Sequence, residues 1–81
     1  MDTKVAVISI LVEDRSAAGT LNQVLHEYGE EIIGRMGLPY PKKGISIISV
    51  AVDASPERIQ SLLHALTPIP GVKAEAVCSS L

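Results

Sequence analysis

Between Ile32 and Ile45 the chain reads Ile-Ile-Gly-Arg-Met-Gly-Leu-Pro-Tyr-Pro-Lys-Lys-Gly-Ile, which crowds three glycines, two prolines, three cations and a tyrosine between aliphatic segments. Arg35 carries the fork of donors that matches a carboxylate or phosphate. Tyr40 adds an aromatic face with a hydroxyl, and Gly34 and Gly37 leave the backbone open to close approach. A ligand site at Gly34, Arg35, Gly37 and Tyr40 is the first expectation. Arg35 has two other outlets, an ion pair with Glu30 or Glu31 and plain solvent. The glycines have one too, since they permit bulging of an edge strand.

A second candidate is the run Glu13-Asp14-Arg15-Ser16-Ala17-Ala18-Gly19, placed where a strand gives way to a helix. Backbone N–H groups at such a junction are unpaired and favour an anion, so Glu13, Asp14, Arg15 and Ser16 form the alternative binding set. Metal and catalytic chemistry find less support. His26 and His64 fall beside their helical stripes, and Cys78 joins them only through an intersubunit arrangement, so no metal site and no cofactor are expected. Ser9 and Ser49 have no base at a telling spacing, and no carboxylate pair is suggested, so the chain reads as a non-enzyme. Gly34-Arg35-Met36-Gly37 has the outline of the GXXG loop of a KH domain, but that loop must run into a helix, which Pro39, Pro41 and Gly44 forbid.

The elements that hold these residues follow from periodicity. Residues 5–12 are apolar on both alternating positions, the mark of a central strand. Leu21, Val24, Leu25 and Tyr28 then lie at i, i+3, i+4 and i+7, one stripe of a helix with Ser16 as expected N-cap and Gly29 as expected stop. A second strand is expected over about residues 32–38, with residues 39–44 as a hairpin connection. Residues 45–52 repeat the first strand's composition. Ser55-Pro56-Glu57 opens a second helix with the stripe Ile59, Leu62, Leu63 and Leu66, and Pro68-Ile69-Pro70-Gly71 leads into a last strand over residues 72–78. Two β-α-β crossovers joined by a hairpin give an α+β ferredoxin-like βαββαβ plait: a four-stranded antiparallel sheet with two helices on one face, in one domain spanning residues 1–81.

The other face of that sheet has a consequence. In either register the first and third strands keep at least four aliphatic side chains on it, a bare patch of roughly 400 to 500 Å² that is unusual for a monomer. Covering it is worth roughly 10 kcal/mol gross against an association cost of about 4 to 15 kcal/mol. A homodimer or homotetramer is therefore expected. Composition agrees: Phe and Trp are absent, and a chain of 81 residues with one cysteine has neither a bulky aromatic core nor an internal disulfide to steady it. The formal charge of −2 argues against direct nucleic-acid binding, no apolar run reaches membrane-spanning length, and the single cysteine makes the cytoplasm the expected setting.

Three segments also carry a family likeness: Leu25-His26-Glu27-Tyr28-Gly29, Ile33-Gly34-Arg35-Met36-Gly37-Leu38-Pro39-Tyr40 and Lys43-Gly44-Ile45-Ser46, with Ile69-Pro70-Gly71-Val72 closing the pattern. In these the chain resembles, nearly end to end, small regulators of the iron-only hydrogenase system, whose fold is ACT-like and related to the C-terminal domain of the nickel-responsive regulator NikR. The resemblance implies an ACT-like fold and a regulatory role. ACT domains bind amino acids at an acidic proline-glycine turn between subunits. The similar turn here is Val12-Glu13-Asp14-Arg15 followed by Gly19-Thr20-Leu21, without the proline and lengthened by Ser16-Ala17-Ala18. The His-x-His pair of a NikR-like nickel site is absent. The combined expectation is an oligomeric ligand-sensing or regulatory module with a possible small-molecule effector and a possible protein partner; the alternative is an assembly protein with no small-molecule site.

Overall fold

The computed structural model describes residues 2–81. Strand β1 (Lys4–Val12) leads through one 3-10 turn, Arg15–Ala17, into helix α1 (Ala18–Glu27). β2 (Ile32–Tyr40) and β3 (Ile45–Ala54) form a hairpin, and helix α2 (Pro56–Leu66) returns the chain to β4 (Val72–Cys78). The sheet order is β2-β3-β1-β4, antiparallel at every pairing. The two strands richest in aliphatic residues lie in the middle and the glycine-rich and charged ones at the edges, which is the expected plait.

Alternation on the strands sets the layers. Ala6, Ile8, Ile10 and Val12 of β1 and Ile48, Val50, Val52 and Ala54 of β3 are buried against the helices. They meet Leu21, Leu25 and Tyr28 of the first helical segment and Ile59, Leu62 and Leu66 of α2, so both predicted stripes are the core-facing ones. Val24 and Leu63 pack at the margin of this core.

Three local expectations are corrected. The cap of the first helical segment is Asp14, not Ser16. Asp14 has extended backbone angles and its carboxylate accepts from the Ser16 N–H, while Ser16 lies inside the 3-10 turn. Asp14 can do this because its carboxylate reaches two residues forward, whereas the chain has already begun to coil at Ser16. Second, β2 runs on through Pro39 and Tyr40, which pair with Ser46 and Ile45, so the connection shrinks to Pro41–Gly44. Proline is tolerated there because β2 is an edge strand with a neighbour on one side only. Third, the register slip in β2 falls between Ile32 and Gly34 and does not recur at the second glycine; Gly29 does stand just past the end of α1, directly after the C-cap Tyr28, though its φ is not positive. Gly37 pairs regularly with Ile48.

Candidate functional site

Two turns meet at one end of the sheet because Val12, at the end of β1, pairs with Ser46 near the start of β3. The first turn is held from two directions. Asp14 Oδ1 accepts from the backbone N–H of Ser16 at 2.9 Å and from its hydroxyl at 2.8 Å. These bonds, the backbone one foremost, hold the Asp14 carboxyl below its ordinary value. From β4's side, the Glu13 N–H donates to the Gly71 carbonyl at 2.6 Å. Gly71 has φ +79°, and a Cβ there would collide with Cβ of Asp14 and lie 3.1 Å from its backbone nitrogen, so this approach needs glycine. The turn is thereby clamped to the Pro70-Gly71 corner.

The second turn is the β2–β3 hairpin, closed by bonds from Lys43 N–H to the Tyr40 carbonyl and from Gly44 N–H to the Pro41 carbonyl, with Gly44 at φ +67°. Between the turns lies a cleft of about 280 Å³, lined by Val12, Arg15 and Ala18 on one side and by Pro39, Tyr40, Pro41, Gly44, Ile45 and Ser46 on the other. Arg15 forms no salt bridge among the described residues. Arg15, Tyr40 and Ser46 are thus the polar residues that border an otherwise apolar cleft. Such a lining suits a small ligand with an anionic group and an apolar body.

The predicted site residues sort differently from their order in the chain. Arg15 and Tyr40, from the two separate candidate segments, line one cleft. Arg35 and Tyr40, from the same segment, do not come together: Arg35 pairs with Val50 on the helix-covered side of β2, whereas Tyr40 pairs with Ile45 on the helix-free side. The Arg35 Nη2 donates to Asn22 Oδ1 at 2.8 Å, tying β2 to α1. Gly37 shares that side and Gly34 the opposite one. Asp14 and Ser16 serve the turn itself, and Glu13 Oε1 faces Lys73 Nζ on β4 at 3.8 Å.

Sequence reasoning missed Arg58. Its Nε donates to Glu31 Oε1 at 2.9 Å, its guanidinium carbon lies 4.2 Å from the centroid of the Tyr28 ring, and the Tyr28 hydroxyl is 2.7 Å from Ser61 Oγ. The bond to Glu31 pushes the Arg58 pKa up. The signal was available, since Arg58 and Ser61 are three apart on α2 beside the Ile59–Leu62 stripe and therefore flank whatever α1 presents. Glu31, considered above for Arg35, is taken by this network. His26 and His64 are exposed on α1 and α2, Cys78 is exposed on β4, and the described residues contain no cluster of three His, Cys, Asp or Glu able to hold a metal.

The helix-free face of the sheet is the other notable surface. Eight of the ten exposed large apolar residues among the described ones lie on it: Val5, Val7, Leu11, Met36, Leu38, Tyr40, Ile47 and Val77. Tyr40 belongs both to this face and to the cleft.

The fold and its rim cleft define a small ACT-like α+β protein of the ferredoxin-like plait. Residues 4–76 match the TM1266-like family model, described as an iron-only hydrogenase system regulator, and the chain belongs to that family. Among solved structures it is similar to the uncharacterized protein TM1266 from Thermotoga maritima, with 26% identity and a TM-score of 0.91 over 95% of this chain and 98% of that one. The C-terminal domain of the MgtC protein from Mycobacterium tuberculosis has the same fold at 10% identity and a TM-score of 0.75, covering 95% and 88% of the two chains. An unknown protein from Galdieria sulphuraria shares it at 18% identity and a TM-score of 0.67, over 99% of this chain and 47% of that one. No curated protein matches the sequence.

Proposed function

We propose that this protein is a non-enzymatic, oligomeric regulator of the iron-only hydrogenase system that senses a small anionic ligand in the cleft between the β1–α1 turn and the β2–β3 hairpin. The regulatory part rests on family membership. The ligand part rests on one observation: Arg15 and Tyr40, 25 positions apart in the chain, border the same cleft. Arg15 receives the anionic group, Tyr40 and Ser46 offer hydroxyls, and Val12, Pro39 and Ile45 take the apolar part. Asp14, Ser16 and Glu13 keep the turn in shape. Arg35, with Gly34 and Gly37 beside it, sets how β2 sits on α1 and so where Tyr40 stands. Occupancy would bridge the two turns and shift affinity for a partner by its differential binding to the bridged state. A net charge of −2 favours a protein partner over DNA. The setting proposed is the cytoplasm; no helix among the described residues is long and apolar enough to cross a membrane.

A second reading, an assembly protein without a small-molecule site, is favoured by the exposed apolar sheet face. Native mass spectrometry of protein purified gently from its host, with thermal shifts against amino acids, inorganic phosphate and nucleotides, separates the two. The sensing reading expects a stoichiometric retained mass or a stabilising probe, lost in Arg15→Ala and weakened but not lost in Arg35→Ala. A bare protein indifferent to every probe leaves the assembly reading standing.

A further inference from the structure

The register of the sheet aligns the helix-free side chains in rows that run across the strands. Leu38, Ile47, Leu11 and Lys73 form one row, and Met36, Ser49, Ser9 and Glu75 form the next. Outside the first row stand Tyr40 and Ile45; outside the second stand Gly34, Ala51, Val7 and Val77. At the centre of the face the first two rows are therefore large beside small, and at the β4 edge they are positive beside negative.

We infer that a second copy of this chain packs face to face on this surface, about a two-fold axis that crosses the strands between those two rows. This deepens the oligomeric half of the proposed function and names its surface. Such an axis lays each row on its neighbour in the other copy. Ile47 then meets Ser49, Leu11 meets Ser9, Tyr40 meets Gly34 and Ile45 meets Ala51, so bulk faces a hollow at each of these positions. Leu38 meets Met36, an adaptable apolar contact. Lys73 meets Glu75, and the symmetry makes that contact twice. Among the described residues Lys73 pairs only with the Glu13 carboxylate, 3.8 Å away, and 73% of its side chain is exposed.

Gly34 supports this arrangement independently. Its φ is not positive and a Cβ added there would meet nothing within 4 Å, so beyond the register slip that ends at Gly34 nothing in the isolated chain fills the space above it. The Tyr40 ring of a second copy would occupy that space. Area is sufficient as well. Four strands at about 4.8 Å spacing and about 30 Å length present roughly 550 Å² each, or about 1,100 Å² for the pair, above the roughly 1,000 Å² expected of a specific interface.

The test is sedimentation velocity over a dilution series, with circular dichroism to confirm folding. Wild type should sediment at twice 8.6 kDa. Lys73→Glu and Glu75→Lys should each raise the dissociation constant about tenfold or more, because each creates two like-charge contacts, while the double reversal should return near the wild-type value. Ile47→Asp should be a folded monomer. A wild-type monomer at every concentration, or a dimer indifferent to Ile47→Asp, overturns the interface; a double reversal no tighter than its parents overturns the two-fold register. Retained mass is read on the same samples. A monomer that keeps a ligand would sink the dimer and leave the cleft reading standing, and a bare dimer would do the reverse.

Discussion

The two sides of β1 are nearly equal in apolar content and opposite in fate. Ala6, Ile8, Ile10 and Val12 are at most 5% exposed, whereas Val5, Val7 and Leu11 on the other side are about 40% exposed. Both sides obey the same alternation and the same preference for β-branched residues. The difference lies in what covers them, since both crossovers of a ferredoxin-like plait place their helices on one side. The helix-free side therefore stays apolar and exposed, and the cleft lies at its rim, where Tyr40 belongs to both.

The largest effects should come from substitutions that test the two sides within one strand. Ile8→Ala opens a cavity among residues that cannot readily collapse, and it should cost about 2 to 5 kcal/mol in urea unfolding. Val7→Ala removes a side chain already in contact with water, and it should cost less than about 1 kcal/mol when measured at dilutions that favour monomer. Equal losses at high dilution would mean that the bare face is structured by something within the monomer. Glycine gives the next contrast. Gly71→Ala forces a left-handed backbone on alanine and drives its Cβ into Asp14, so a loss of roughly 2 kcal/mol or more is expected. Gly34→Ala meets open space, and it should stabilise the monomer by about 0.5 to 1 kcal/mol while loosening any assembly through that face. If Gly34→Ala destabilises the monomer as Gly71→Ala does, the contrast between the two sides fails.

The fold was legible because its signals were long. Seven to eleven residues of alternation or 3.6-residue periodicity are hard to misread, and β1, β3, both helical stripes and β4 stand where the pattern put them. The site was half legible. Arg15, Tyr40 and the turn residues could be named from their types, yet whether Arg35 and Tyr40 share a face depends on parity along β2, and a bulge at Gly37, which lies between them, would have reversed it; the strand runs regularly there, so five positions put them on opposite faces. The meeting of Arg15 with Tyr40 depends on the pairing of Val12 with Ser46, a long-range contact with no local signature. The Asp14 cap was missed for a smaller reason. Aspartate and serine two residues apart both make good caps, and only the backbone angles distinguish them.

The smallest expected effect lies at the rim between the two sides and concerns that cap. Asp14 is exposed, so solvent screens it, but its carboxylate accepts two hydrogen bonds from Ser16 that exist only in the folded turn. Those bonds favour the charged form and lower the folded pKa beneath that of the unfolded chain. The resulting contribution is fully present above the unfolded value, about 3.9, and is lost as pH falls through the lower folded value. NMR titration of the Asp14 side-chain carbon should give a midpoint below the ordinary aspartate value. Ser16→Ala, which removes the hydroxyl and spares the backbone donor, should move that midpoint only part of the way back, because the backbone bond is the larger cause. A full return would assign the shift to the hydroxyl alone. It would also mean that the turn opens without it, and the Gly71 clamp, rather than the Asp14 cap, would then be what holds Arg15 at the cleft.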